Sequence, residues 1–413
     1  MARDVKPAGG LTARYALLGA TLFLLLGGLV MVYSASFGAD SVQLGDSAYH
    51  LKRQLAYAVA GVVLMFVAAR FDYRRLHSST WVIYGVVVAG LVAVLAIGVG
   101  KWGATRWIDV GGFTIQPSEY AKLACVIAVS HLTVQRYRGA ITIKEFWGRV
   151  ALACGVVVAL VMAQPDMGTT MSIAITVYLV LLLGGIDWKT LSMAFVGGTG
   201  LAAAAVALAP YRAARVLAFL DPWADPQGGG YQSVQAMLAF GSGGIDGIGL
   251  GMSRQKFFYL PAAHTDFIFA IIGEELGLLG TLAVIAAFGV FAYAGVRIAL
   301  GARDPFGRLL AGGVTAMIVT QALLNMAAVT GLMPVTGIPM PLVSSGGSSL
   351  TFTLVCIGLM LSVSAHGSRG VRGVVGQATE RKPPSARSDD RRWDRRTHLS
   401  RAGGSRGSRR KRA

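Results

Sequence analysis

Long apolar runs separated by short polar ones limit most strictly what this chain can fold into. "ALLGATLFLLLGGLVMVYS" (16–34) and "WVIYGVVVAGLVAVLAIGV" (81–99) show the type. Crossing a bilayer takes about 20 apolar residues in a helix. A water-free core also forces each backbone N–H and C=O to pair within its own segment, which a helix does. Charged residues make up 14% of the 413, against about 25% in soluble chains. The sequence therefore predicts an all-α polytopic membrane protein with about ten spans. They are expected near 15–34, 54–70, 81–99, 118–135, 149–164, 169–186, 190–210, 266–298, 308–330 and 342–365. With no separate soluble-length domain, chemistry has to come from loops and helix ends.

Lys and Arg set the expected orientation. Alternate connections hold Arg70, Arg74, Arg75, Arg136, Arg138, Lys144, Arg149, Lys189, Arg297, Arg303 and Arg308, and the N-terminal segment adds Arg3, Lys6 and Arg14. The other side holds Lys52, Arg53, Lys101, Arg106 and Lys122. The positive-inside rule then predicts both termini in the cytoplasm. The expected organisation is a cytoplasmic segment over 1–14, a membrane domain over 15–366 and a tail over 367–413. Within the membrane domain, 211–265 reads as a large extracytoplasmic loop between the seventh and eighth helices, and loops of that length are often functional.

The tail holds fifteen of the 38 Lys and Arg. Almost free of apolar residues, it is expected to be disordered, either solvated or lying on anionic lipid. No folded module accompanies its charge, so nucleic acid is not an expected partner. Cys125, Cys154 and Cys356 all sit in apolar runs and read as small hydrophobes, not as a disulfide or metal framework.

The outer segments carry the candidate chemistry. In "KWGATRWIDVGGFTIQPSEYAK" (101–122), Arg106 and Trp107 are adjacent. Trp107 is either an interfacial belt residue or part of a platform for a sugar or lipid headgroup, with Arg106 facing phosphate. "QPSE" (116–119) and "QPDMG" (164–168) both read as helix starts, with Pro and an acid in the first turn. Glu119 and Lys122 are three residues apart on one face, as an ion pair or part of a polar site. "SSGGSS" (344–349), with Ser345, either lets helices pack closely or turns backbone N–H groups toward an anion.

The strongest signal is "YLPAAHTDFIFAIIGEELG" (259–277). His264 and Asp266 stand at the mouth of an apolar run, and Glu274 and Glu275 lie inside it. Counting helical steps from Asp266 gives Ala270, Gly273, Gly277 and Gly280, a small-residue face suited to close helix approach. At a helix N-terminus the dipole would favour ionised Asp266. Ionisable groups within membrane segments are functional candidates by default. Glu274 and Glu275 are expected to support the cavity or pair with other helices.

Taken in order, "RWI", "QPSEYAK", "QPDMGT", "DPWADPQGGGYQSVQAMLAFGSGG", "YLPAAHTDFIFAIIGEELG" and "PMPLVSSGGSS" resemble the SEDS family (shape, elongation, division and sporulation), nearer its FtsW branch than its RodA branch. The resemblance covers roughly 12–366. It implies ten helices and a peptidoglycan glycosyltransferase polymerising lipid II on the outer face of the cytoplasmic membrane, at the division septum. It implies as partners a class B penicillin-binding protein and other divisome membrane proteins. It makes Asp266 the catalytic acidic residue, Arg106 and Trp107 required positions, and Glu119, Lys122, Gln164 and Asp166 residues lining the outer cavity. Two departures stand out: "LVSSGGSS" lacks the aromatic of "SYGGSS" versions, and "PAAH" stands where many relatives carry "PEAH".

On this reading a sugar hydroxyl attacks an anomeric carbon, Asp266 takes its proton, and undecaprenyl diphosphate leaves with inversion. His264 tunes or positions Asp266. Arg106, Lys122, Arg212 and Arg215 are the candidates for countering the diphosphate charge, with or without a divalent cation such as Mg2+; no ligand spacing in the sequence establishes that cation. The rival readings are a transporter or flippase of a lipid-linked precursor, and a non-catalytic division scaffold.

Overall fold

The computed structural model describes residues 10–379, apart from 102, 103, 112, 208, 209 and 258. The chain divides into two units, Met1–Gly370 and Val371–Ala413; the sheet and the candidate site belong to the first. In chain order the helices and strands are α1 (Gly10–Gln43), α2 (Tyr49–Arg70), the short α3 (Arg74–Ser78), α4 (Thr80–Ile97), β1 (Val99–Lys101), β2 (Ala104–Val110) and β3 (Phe113–Ile115). They continue with α5 (Pro117–Tyr137), α6 (Ile143–Ala163), α7 (Met167–Leu183), α8 (Trp188–Ala207), α9 (Pro210–Leu220), α10 (Tyr231–Gly243), α11 (Ile268–Leu300), α12 (Pro305–Val329) and α13 (Gly347–Thr379).

This is a polytopic, helical membrane fold. Among the described residues, seven helices are long and apolar enough to cross a bilayer: those of α1, α2, α4, α6, α11, α12 and α13. The other three expected spans coincide with α5, α7 and α8. Of these, α7 is apolar but 17 residues long, and α5 carries Glu119, Lys122 and Arg136. The helices differ in how deeply they sit. The most apolar stretch of α12 is 83% buried and that of α4 is 17% buried, so α12 is central and α4 peripheral.

Helix starts follow the sequence. Pro117 opens α5. Thr142 and Glu145 form a reciprocal capping box on α6. The Asp166 carboxylate caps α7 by accepting from the Thr169 N–H at 3.1 Å, and Asp304 caps α12 in the same way.

Three features go beyond the expected spans. The segment 211–265, expected as a large loop between the seventh and eighth helices, contains most of α9 and all of α10. The segment 99–115 carries a small antiparallel sheet in the order β1-β2-β3, with Val99 opposite Trp107 and Ile108 opposite Ile115. The run from 266 is not one continuous helix. It begins at Ile268 and breaks at Gly277, where φ is 65° and ψ is −159°.

That break frees backbone groups, and a neighbouring turn takes them up. Ile248 and Gly249 donate to the Glu274 and Glu275 carbonyls, while Leu278 donates to Gly244, each at 3.0 Å. The approach is backbone to backbone: a Cβ on Gly277 would lie 2.3 Å from the Ile245 oxygen. The small-residue face therefore serves close packing as expected, but through a kink. Just before the kink, Glu275 accepts from Ser34 of α1 and from Lys256, the latter at 3.0 Å. Glu274 accepts from the Ser253 hydroxyl and from the Arg254 N–H. All four side chains of Ser34, Lys256, Glu274 and Glu275 are buried, which is the pairing their position inside an apolar run requires.

Candidate active site

The site is built around the backbone of His264, Thr265 and Asp266, which lies just before α11. All three successive carbonyls are held. The His264 oxygen accepts from the Ser345 N–H at 2.9 Å. The Thr265 oxygen accepts from the Ser344 hydroxyl at 2.6 Å, and the Asp266 oxygen accepts from the Asn325 amide at 2.7 Å. The turn supplying two of these donors is fixed by α2, whose Gln54 donates to Ser344 O and accepts from Gly346 N–H. Holding the main chain at three points leaves the Asp266 carboxyl free for chemistry.

Asn325 lies on α12 one turn after Gln321, on the same face. Its amide N–H groups go to Asp266 O and Ile338 O, and Gln321 donates to Pro339 O at 2.9 Å. The central helix thus sews the 338–339 strand of chain to the Asp266 turn. Asp266, Asn325, Val335, Thr336, Gly337 and Ile338 line a narrow crevice. Gly337 has φ +70°, and a Cβ there would come within 3.5 Å of the Asp266 carboxylate.

Charge converges on Asp266. The residue is half-buried, and burial of its carboxyl group pushes its pKa up to about 6. Arg106 and Arg215 pull it down while Asp166 pushes it up. Burial is the largest of these influences. Arg106 reaches from β2 to the Gln164 carbonyl at 3.3 Å and to the Pro165 carbonyl, with Asp166 at 3.9 Å. Arg215 donates from α9 to the Val335 carbonyl at 3.2 Å. Arg106, Asp166, Arg215 and Asp266 therefore form one electrostatic cluster. Gln164 borders it through its backbone, while its side chain donates to Leu91 O on α4.

The other predicted residues are placed differently. Trp107 is half-buried on β2, beside Arg106. Glu119 and Lys122 form an ion pair of 2.8 Å, each 1% exposed, closed by Ser349 on the acid and Gln321 on the amine. In this arrangement Lys122 faces Glu119 and Gln321, not an open cavity where a diphosphate would sit. The pair connects to Asp266 through Gln321 and its neighbour Asn325.

The His264 ring contacts His50, with ring centroids 4.5 Å apart. His50 is itself held by buried Asp40, at 2.5 Å from ring nitrogen to carboxylate. Burial pushes the His264 imidazole down to about 4, with His50 adding to that and Asp40 opposing it. At neutral pH His264 is therefore uncharged, with its ring against His50 and its carbonyl on Ser345. The Ser345 N–H, spent on His264, positions the turn. The side chain of Arg212 lies outside the described residues.

Sequence reasoning missed Asn325, Gln321, Gln54 and the Asp40–His50 pair. Gln321 and Asn325 did leave a signal, two amides four residues apart within "TQALLNMAAV", on one face of a buried helix. Among the described residues no three or more His, Cys, Asp or Glu side chains gather as a metal cage.

The cell cycle protein family of FtsW, RodA and SpoVE matches residues 15–369. Stage V sporulation protein E of Bacillus subtilis (strain 168) is 41% identical over 354 residues, covering 84% of this chain and 95% of that protein. The probable peptidoglycan glycosyltransferase FtsW of Geobacter metallireducens is 40% identical, over 82% of this chain and 91% of its own length. Among solved structures, one described as the structural coordination of polymerization and crosslinking by a peptidoglycan synthase complex superposes with a TM-score of 0.72. It is 29% identical and covers 86% of this chain and 98% of its own. The rod shape determining protein RodA of Thermus thermophilus superposes with a TM-score of 0.65 at 26% identity, over 86% of this chain and 97% of its own. On this agreement of sequence and fold, the chain belongs to the FtsW/RodA/SpoVE family of cell cycle proteins, the SEDS family.

Proposed function

We propose that this chain is a peptidoglycan glycosyltransferase that polymerises lipid II at the outer face of the cytoplasmic membrane, with both termini in the cytoplasm. The observation that carries the reading is Asp266. It is a carboxylate poised near pH 6, on a turn anchored at three consecutive carbonyls, in a chain whose relatives are named glycosyltransferases. A general base works best when its pKa lies near the operating pH.

In the proposed step, a sugar hydroxyl of the acceptor attacks the anomeric carbon of the donor. A new glycosidic C–O bond forms as the bond to the lipid diphosphate breaks. The hydroxyl proton passes to the Asp266 carboxylate, and undecaprenyl diphosphate departs with both electrons of the broken bond. Direct displacement by a single base inverts the anomeric centre. Arg106 and Arg215, whose charges reach Asp266, also suit the departing diphosphate. Trp107 beside Arg106 suits a sugar face, and the Glu119–Lys122 pair supports the fold behind the site.

A class B penicillin-binding protein is the proposed partner, with other divisome membrane proteins at the septum. The neighbouring structure described as a complex coordinating polymerization and crosslinking supports that reading. Incubating the purified chain with lipid II in detergent tests the activity. Glycan strands are expected. Movement of lipid II across sealed vesicles without polymer would instead identify a transporter.

A further inference from the structure

A second concave feature lies at the end of the bundle where α4 and α6 begin. A groove of about 440 Å³ runs between these helices, lined by Trp81, Tyr84, Arg149, Leu152, Ala153 and Val156. Its surroundings face outward: Leu152 is 69% exposed and, beside Trp81, Val82 and Val86 are 70% and 68% exposed. In a membrane-spanning helix pair, such a surface meets acyl chains.

The groove has a fixed wall and a charged mouth. Trp81 stands edge-on to Tyr84 and to His131, with centroids 5.8 and 6.1 Å away. The Tyr84 hydroxyl is spent on the Ala153 carbonyl at 2.8 Å. Arg149 is exposed at the rim. Glu145, one turn earlier, feels the Arg149 charge. One of its carboxylate oxygens, Oε2, accepts from the Thr142 N–H and hydroxyl at 2.8 and 3.0 Å. Arg149 lines the mouth of an apolar channel beside the Trp81 indole, at the basic end of the bundle. A phosphate monoanion carrying acyl chains complements each part of that arrangement. A zwitterionic headgroup would bring an ammonium toward the same guanidinium.

We propose that this groove binds one anionic phospholipid of the surrounding bilayer. Its phosphate sits on Arg149, its glycerol region lies beside Trp81, and one acyl chain runs along Leu152 and Val156. The site is separate from the Asp266 crevice and shares no lining residue with it.

Native mass spectrometry of the full chain tests this, with phosphatidylglycerol and phosphatidylcholine of identical acyl chains titrated in parallel. One phosphatidylglycerol adduct should survive activation that strips phosphatidylcholine. Arg149→Gln should weaken that first adduct about tenfold, as expected for loss of one charge-assisted contact. Leu152→Trp, which fills the groove and keeps the charge, should weaken it comparably. Lys144→Gln, at the same end but outside the lining, should leave it unchanged. Equal retention of the two lipids would overturn the proposal, as would an unaltered adduct in both groove variants. An equal loss in Lys144→Gln would also overturn it, because diffuse attraction to basic residues would then account for the binding.

Discussion

Asp266 stands between opposing influences, and their balance makes its ionisation measurable. Burial lifts its pKa to about 6, with Asp166 acting in the same direction and Arg106 and Arg215 against it. A base must be deprotonated to accept a proton. The polymerisation rate should therefore rise as pH passes upward through about 6 and level off above it. Arg106→Ala removes a charge that favours the carboxylate, so the acid limb should move to higher pH; rate–pH profiles of the two proteins check this. Asn325 acts on the same residue from behind. Asn325→Leu should lower kcat by about tenfold or more, equivalent to ~1.4 kcal/mol, with KM for lipid II little changed. Steady-state kinetics separates the two. Much of this site could be read in the sequence, because an acid at the edge of an apolar run is costly and so conspicuous. Asn325 was not read, because an amide in a span signals no chemistry of its own and its partners lie 59 and 13 residues away. The Asp40–His50 pair contacts His264 from more than two hundred residues earlier in the chain, which no local spacing reveals.

At the scale of elements, the kink in α11 determines how the Asp266 turn meets the rest of the bundle. Gly277 has φ 65° and lies against the backbone of Ile245 and Gly247. Gly277→Ala should cost about 1–3 kcal/mol from the backbone conformation alone, with the steric clash added, and thermal unfolding in detergent should show a lowered midpoint. The Lys256–Glu275 pair next to it is buried. Removing one partner strands the other charge, so Lys256→Met should destabilise by about 3–5 kcal/mol, and adding Glu275→Leu should recover much of that. An additive double mutant would show that the pair is not coupled. The spans were readable from length and apolarity. The kink was not, because Gly277 also fits a continuous small-residue face. The helices within 211–265 were hidden by glycine- and alanine-rich sequence, and the sheet by strands of three to seven residues.

At the scale of the molecule, polar chemistry is gathered at one end of an apolar bundle. Central α12 joins its parts: Gln321 meets the Glu119–Lys122 pair and Asn325 meets Asp266. That construction suits the proposed reaction, which must keep one carboxylate in place while the glycan strand grows. The most direct measurement is polymerisation of purified lipid II at pH 7.5 by wild type and by Asp266→Asn, each verified as folded by its thermal unfolding profile. The account predicts glycan strands from wild type and a loss of at least about a hundredfold in the variant, the scale of general-base catalysis. Equal strand formation by a folded Asp266→Asn protein would contradict it.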